Sequence, residues 1–237
     1  MREPENIRAV ASLDIDLMGF IFYPQSSRFV QMISSNAGII PDYSEERLKK
    51  EARGERFKTG GTEVSSSSSA EQSLPQRVGV FVDDMPQNIV TRVYNYSLDY
   101  VQLHGNESPV MIDNLRRTLD PDILPGVKII KTLSVGKRED VSRWQEYLGH
   151  VDMFLFDTQC KTYGGSGEQF DWTVLEAYDG SIPFLLSGGI GPEDAERVRS
   201  FKHPQFAGVD LNSRFEVSPA VKDVEKLRSF IQKIRQD

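Results

Sequence analysis

The stretch "VDMFLFDTQCKTYGGSGEQFDW" (residues 151–172) decides how this chain is to be read. An apolar run ends in Asp157, a glycine-rich loop follows, and the chain then turns polar with helical spacing. Strand, loop and helix in that order make a βα unit. A carboxylate at the C-terminal end of a buried strand sits where parallel α/β folds gather their chemistry.

The same unit recurs in both directions. Strand candidates are "LMGFIFY" (17–23), "RVGVFV" (77–82), "YVQLHG" (100–105), "VKIIKTL" (127–133), "MFLFDT" (153–158), "FLLSGGI" (184–190) and "FAGVDLN" (206–212). Most are near-continuous apolar runs, as expected of strands buried on both faces. Between them lie helical patterns: "EPENIRAVASL", "MPQNIVTRVYNYS", "SPVMIDNLRRTL", "REDVSRWQEYL", "DWTVLEAY", "GPEDAERVRSF" and "DVEKLRSFIQKIR". Several open with Ser, Asp or Pro at positions suited to a cap or first turn. Repeated βα units imply a parallel α/β sheet with right-handed crossovers. Two architectures satisfy this, an open doubly wound sheet or a (β/α)8 TIM barrel one strand short.

The 237 residues, 38% hydrophobic and 27% charged, suit one barrel domain spanning 1–237. No apolar run is long enough to span a bilayer, and "MREPENIRAV" carries no secretory h-region, so no membrane partner is expected. The single cysteine, Cys160, excludes an internal disulfide and suits a reducing cytoplasmic setting. A net charge of −7 argues against nucleic acid. Residues 54–76, with five consecutive serines, have little to bury and read as a mobile insertion. A tolerated surface insertion, a lid and a phosphorylation tail all fit that composition.

Reading only the strand ends yields a short set of candidates. "LLSGGIGPEDAERV" is a strand, a tight Gly188–Gly189 turn and a helix start, and "GVDLNSR" follows the next strand. Together they make a two-loop phosphate site, although plain βα turns fit as well. Arg28, in the loop "YPQSSRFV", is either a bidentate carboxylate clamp or a solvated charge. Asp157 is either a general acid sheltered by its apolar strand or a cap for the following loop. His104 ends a strand and faces a pocket in this reading. His150 and His203 read as surface residues, and the three histidines lack metal-ligand spacing. No GxSxG, P-loop or GxGxxG is present.

The segments "GFIFYPQSSRFV", "VGVFVD", "YVQLHGNESP", "DTQCKTYGGSGEQFDW", "LSGGIGPEDA" and "GVDLNSRFE", in that order, resemble phosphoribosylanthranilate isomerase of tryptophan biosynthesis. The resemblance covers nearly the whole chain apart from the serine-rich segment. It implies a (β/α)8 barrel that performs an Amadori rearrangement of a small phosphorylated substrate without any cofactor. By that resemblance Asp157 is the general acid and Arg28 holds the anthranilate carboxylate. Gly188, Gly189, Asn212 and Ser213 hold the phosphate, His104 and Asp210 line the ribose pocket, and the "YGGSG" loop closes over the site.

The family's general base is a cysteine at the end of the first barrel strand, and "MREPENIRAV" matches only the segment after that strand. The expectation is therefore a barrel lacking its first strand of roughly eight residues, a strand's usual length. The edges of 17–23 and 206–212 would be unpaired and turnover poor. Cys160 does not match the base position. The phosphate loops alone would also suit another phosphosugar barrel, or a non-catalytic barrel that binds a phosphate ligand. Monomer and homodimer both remain open.

Overall fold

A computed structural model describes residues 1–31, 74–158 and 171–236. All seven expected strands are present in one parallel sheet. They are β1 (Leu17–Ile21), β2 (Gln76–Phe81), β3 (Tyr100–Leu103), β4 (Lys128–Val135), β5 (Met153–Thr158), β6 (Phe184–Ser187) and β7 (Phe206–Val209). Spatial order follows chain order from β1 to β7. A doubly wound sheet reverses its order at a switch point, and this one does not, so the barrel-type alternative holds.

Among the described residues no eighth strand joins β7 back to β1, so the sheet is a curled, unclosed barrel. Among the described residues each end strand keeps one edge without a strand partner, apart from an isolated bridge between Ile21 and Phe29. On the β1 edge the Met1 amine donates to the Gly19 carbonyl at 2.6 Å.

Alternation along each strand sorts side chains onto two faces. The outer face meets the helices and carries the large core, with Phe81, Phe154, Phe156 and Phe184 fully buried. The inner face holds a smaller cluster of Val78, Tyr100, Ile130 and Leu155, with Leu17 and Leu185 packed against it. These residues come from six consecutive strands, which touch across the interior only because the sheet curls.

The helices are α1 (Pro4–Ala11), α2 (Pro86–Tyr96), α3 (Pro109–Leu119), α4 (Arg138–Val141), α5 (Ala195–Ser200) and α6 (Val224–Arg235). The first three have proline in the first turn, where the missing N–H costs nothing. Ser108 and Asp223 cap α3 and α6 by accepting from the Met111 and Lys226 amides.

Three expected helices are tighter than the periodicity suggests. After α4 the chain runs as 3-10 helix over Ser142–Tyr147, Trp172–Ala177 is entirely 3-10, and α5 is preceded by a 3-10 turn, Pro192–Asp194. A 3-10 turn rises about 2.0 Å per residue, so a short crossover covers the strand length with fewer residues. Buried rings hold it there: Trp144 meets Tyr178 edge-on, with centroids 5.5 Å apart.

A two-stranded antiparallel hairpin, β8 (Glu216–Ser218) with β9 (Val221–Lys222), was not expected. Its strands are too short to show a period, and Ala220 makes the turn with φ of 71°. Among the described residues no helix is long and apolar enough to cross a membrane. Of the serine-rich segment 54–76, residues 54–73 lie outside the described residues, and Gln76 is the first residue of β2.

Candidate active site

The inner-face alternation continues to the strand ends and changes character there. On β3 the inward column runs Tyr100, Gln102 and then His104; on β5 it runs Met153, Leu155 and Asp157; on β6, Leu185 and Ser187. The lower members are apolar or aromatic and the upper ones polar. A cavity of about 800 Å³ opens between them and is lined by residues of all seven strands.

His104 and Asp157 face one another across this cavity, with Nε2 3.6 Å from Oδ2. The Gln102 amide nitrogen lies 3.4 Å from His104 Nδ1 and donates to Thr132 Oγ1 at 3.2 Å. Asp157 is in register with Ser187. The Ser187 hydroxyl donates to Asp210 Oδ2 at 3.1 Å, so an imidazole and two carboxylates form one row. Burial deep in the cavity pushes the Asp210 carboxyl above its ordinary range, although part of the residue stays open to the cavity. Lys222 and the Ser187 bond act against that rise.

The loop bearing His104 is held from beneath by a buried ion pair. Lys131, 1% exposed, donates to Glu107 Oε2 at 3.0 Å, and to the Leu103 and Gly105 carbonyls at 3.2 and 2.7 Å. Glu107 accepts from the amides of Asp83 and Gly105. Gly105 has no room for a side chain, because an added Cβ would lie 2.4 Å from Asp83 Oδ1. Burial lowers the Lys131 ammonium below its usual range, with Glu107 opposing the shift.

Gly188, Gly189, Asn212 and Ser213 all line the cavity, at the ends of β6 and β7. Gly188 has φ of +104°, and an added Cβ would stand 2.2 Å from the Thr158 carbonyl, so the turn is closed to any side chain. The Thr158 hydroxyl fastens it by donating to the Ser187 carbonyl at 2.8 Å. Arg214, missed in the sequence, reaches the Gly189 carbonyl and pairs with Glu193.

Arg28 lines the cavity as well, and it is already engaged. Its Nε donates to both Glu216 oxygens at 2.9 Å and its Nη2 to Oε2 at 2.6 Å. Burial works to raise the Glu216 carboxyl. The hydrogen-bonded Arg28 guanidinium and the charge of Lys222 outweigh it and hold the group below the ordinary carboxylate range. Glu216 and Lys222 had no sequence signal as site residues, since the hairpin that sets them opposite each other was invisible.

Cys160 and the "YGGSG" loop, expected to close over the site, lie outside the described residues. Among the described residues no three His, Cys, Asp or Glu side chains cluster as metal ligands would.

Fold and site together define a (β/α)-barrel enzyme class, with titratable side chains and a glycine turn at the C-terminal strand ends. The family model of N-(5'phosphoribosyl)anthranilate (PRA) isomerase matches residues 42–233. The chain belongs to that family.

A relative from Parabacteroides distasonis, named N-(5'-phosphoribosyl)anthranilate isomerase, is 45% identical over 99% of this chain and 90% of its own length. One of the same name from Phocaeicola vulgatus is 38% identical over 100% and 95%. Among solved structures, the phosphoribosyl anthranilate isomerase of Thermotoga maritima superposes with a TM-score of 0.66 at 27% identity, covering 99% of this chain and 95% of that one. A phosphoribosyl anthranilate isomerase solved with reduced 1-(o-carboxyphenylamino)-1-deoxyribulose 5-phosphate gives 0.68 at 23%, covering 99% and 95%, a likeness of fold.

Proposed function

We propose that this chain converts N-(5-phosphoribosyl)anthranilate to 1-(2-carboxyphenylamino)-1-deoxyribulose 5-phosphate, an aldose–ketose isomerisation in tryptophan biosynthesis. The observation that carries this reading is the row His104, Asp157, Ser187, Asp210 at the strand ends of a chain belonging to the PRA isomerase family.

In this reading Asp157 gives its proton to the ribose ring oxygen as the C1′–O bond breaks. The anthranilate nitrogen supplies the electron pair, leaving an open-chain cationic Schiff base. The cation makes the C2′ proton acidic enough for a modest base to remove, and the enamine–enol so formed relaxes to the ketone. Arg28 holds the anthranilate carboxylate, while backbone amides at Gly188, Gly189, Asn212 and Ser213 hold the phosphate. His104 and Asp210 line the ribose.

The family resemblance assigns the C2′ proton to a cysteine, and no described residue matches it. A cytoplasmic monomer or homodimer that needs no cofactor completes the reading.

The test follows loss of substrate fluorescence together with binding of the reduced product analogue. Binding that depends on Arg28, with any turnover abolished by Asp157→Asn, supports the assignment. A folded protein that binds no anthranilate-bearing ligand would overturn it.

A further inference from the structure

The hairpin β8–β9 does more than connect β7 to α6. Its register sets Glu216 directly opposite Lys222, and both residues line the cavity. Glu216 grips Arg28 through Nε and Nη2. Lys222 Nζ donates to the Leu211 and Asn212 carbonyls, both at 3.1 Å, and to Asn212 Oδ1 at 3.0 Å. The two meet at 3.5 Å, Lys222 Nζ to Glu216 Oε1.

An unbroken chain of charged contacts thus runs from Arg28, beyond β1, to Asn212, beyond β7. Its middle is largely out of water, since the Glu216 and Lys222 side chains are 5% and 11% exposed, while the Arg28 side chain at one end is 24% exposed. The hairpin is also pinned from behind. The Lys222 amide donates to Asn6 Oδ1 at 2.7 Å, and Asn6 Nδ2 donates back to the Lys222 carbonyl at 2.8 Å.

We propose that Glu216 and Lys222 are positioning residues that couple the carboxylate-binding Arg28 to the phosphate-binding loop at Asn212, so that the two ends of the substrate bind cooperatively. The proposal rests on the isomerase reading, from which the roles of Arg28 and Asn212 come. Glu216 occupies the Nε–Nη2 side of the guanidinium, so a ligand carboxylate must approach the Nη1–Nη2 side. A carboxylate there fixes the plane of the Arg28 guanidinium, and with it the position of Glu216. That fixes the partner of Lys222, and Lys222 fixes the Asn212 loop. The reverse path, from phosphate to Arg28, carries the same free energy, because coupling between two sites is reciprocal.

The experiment measures the affinity of the full 237-residue chain for anthranilate, by titration calorimetry, with and without saturating inorganic phosphate. Saturating phosphate is expected to tighten anthranilate binding about fivefold, the low end of inter-site coupling. In Glu216→Gln, nearly the same shape without the charge, the factor falls to about one, as it does in Lys222→Met; Lys222→Arg keeps most of it. A loss of stability alone would leave the ratio of the two affinities unchanged, so the ratio reports positioning and not folding. If Lys222→Met fails to fold, Glu216→Gln and Lys222→Arg decide. Coupling retained by folded Glu216→Gln, or absent from the parent while both probes bind, overturns the proposal and leaves the isomerase reading standing. Failure of the parent to bind either probe overturns both.

Discussion

Phe156 and Asp157 are neighbours on β5 and belong to different parts of the molecule. Phe156 points outward into the strand–helix core, fully buried and ringed by Tyr178 and Phe184. Asp157 points inward to the cavity, opposite His104. One step further back, Leu155 also faces inward, in the small apolar cluster beneath the site. A single strand therefore carries the packed core on one face and lines the candidate site with the other. The outer face is filled with interlocked rings, while the inner face borders a cavity of about 800 Å³.

Substitutions along β5 can break this division. Asp157→Asn is expected to lower any isomerase turnover by roughly 10²–10⁴-fold, the usual worth of a positioned acid, and to leave the denaturation midpoint nearly unchanged. A large fall in stability would show that the inner face is structural after all. Phe156→Ala should remove about 3–5 kcal/mol of stability, read from chemical denaturation, because its void is surrounded by rings that cannot close in. Affinity for the reduced product analogue should survive it. Leu155→Ala should cost less, about 2–3 kcal/mol, since its neighbours can relax toward space that already exists. Equal costs at 155 and 156 would mean the two cores are packed alike.

The smallest effect sharpens the comparison at Asp210. Burial raises this carboxyl in the folded chain, so the native state holds the proton more tightly than the unfolded one. Ionised Asp210 thus counts against folding once the pH exceeds its unfolded value, and increasingly so up to its folded value. Asp210→Asn removes that penalty. Stability of the variant relative to the parent should rise as pH is taken from the carboxylate range to neutral, and a flat difference would contradict the assignment. Phosphate-ligand binding should not improve with it.

Much of this was readable from the residues. The seven strands announced themselves because each is an apolar run bounded by turn residues, and their ends pointed to His104, Asp157 and Asp210. The boundaries of 138–148 and 171–178 as ordinary helices were not, because a 3-10 turn and an α turn bury similar faces and only the span to be crossed decides between them. The hairpin was out of reach for another reason. With three and two residues its strands carry no period, and Glu216 and Lys222 acquire a role only when the register sets them opposite each other. Arg28 lay between: its type and place were legible, but its engagement with Glu216, 188 residues away, was not.

Among the described residues the outer edges of β1 and β7 have no strand partner, and only Gly19 and Ile21 of β1 find backbone acceptors or donors there. Two rows of backbone groups without strand partners can be satisfied by another molecule as well as by water, so association competes with solvation. Where such association joins folded chains, the thermal midpoint is expected to fall on dilution, whereas that of a closed barrel stays fixed.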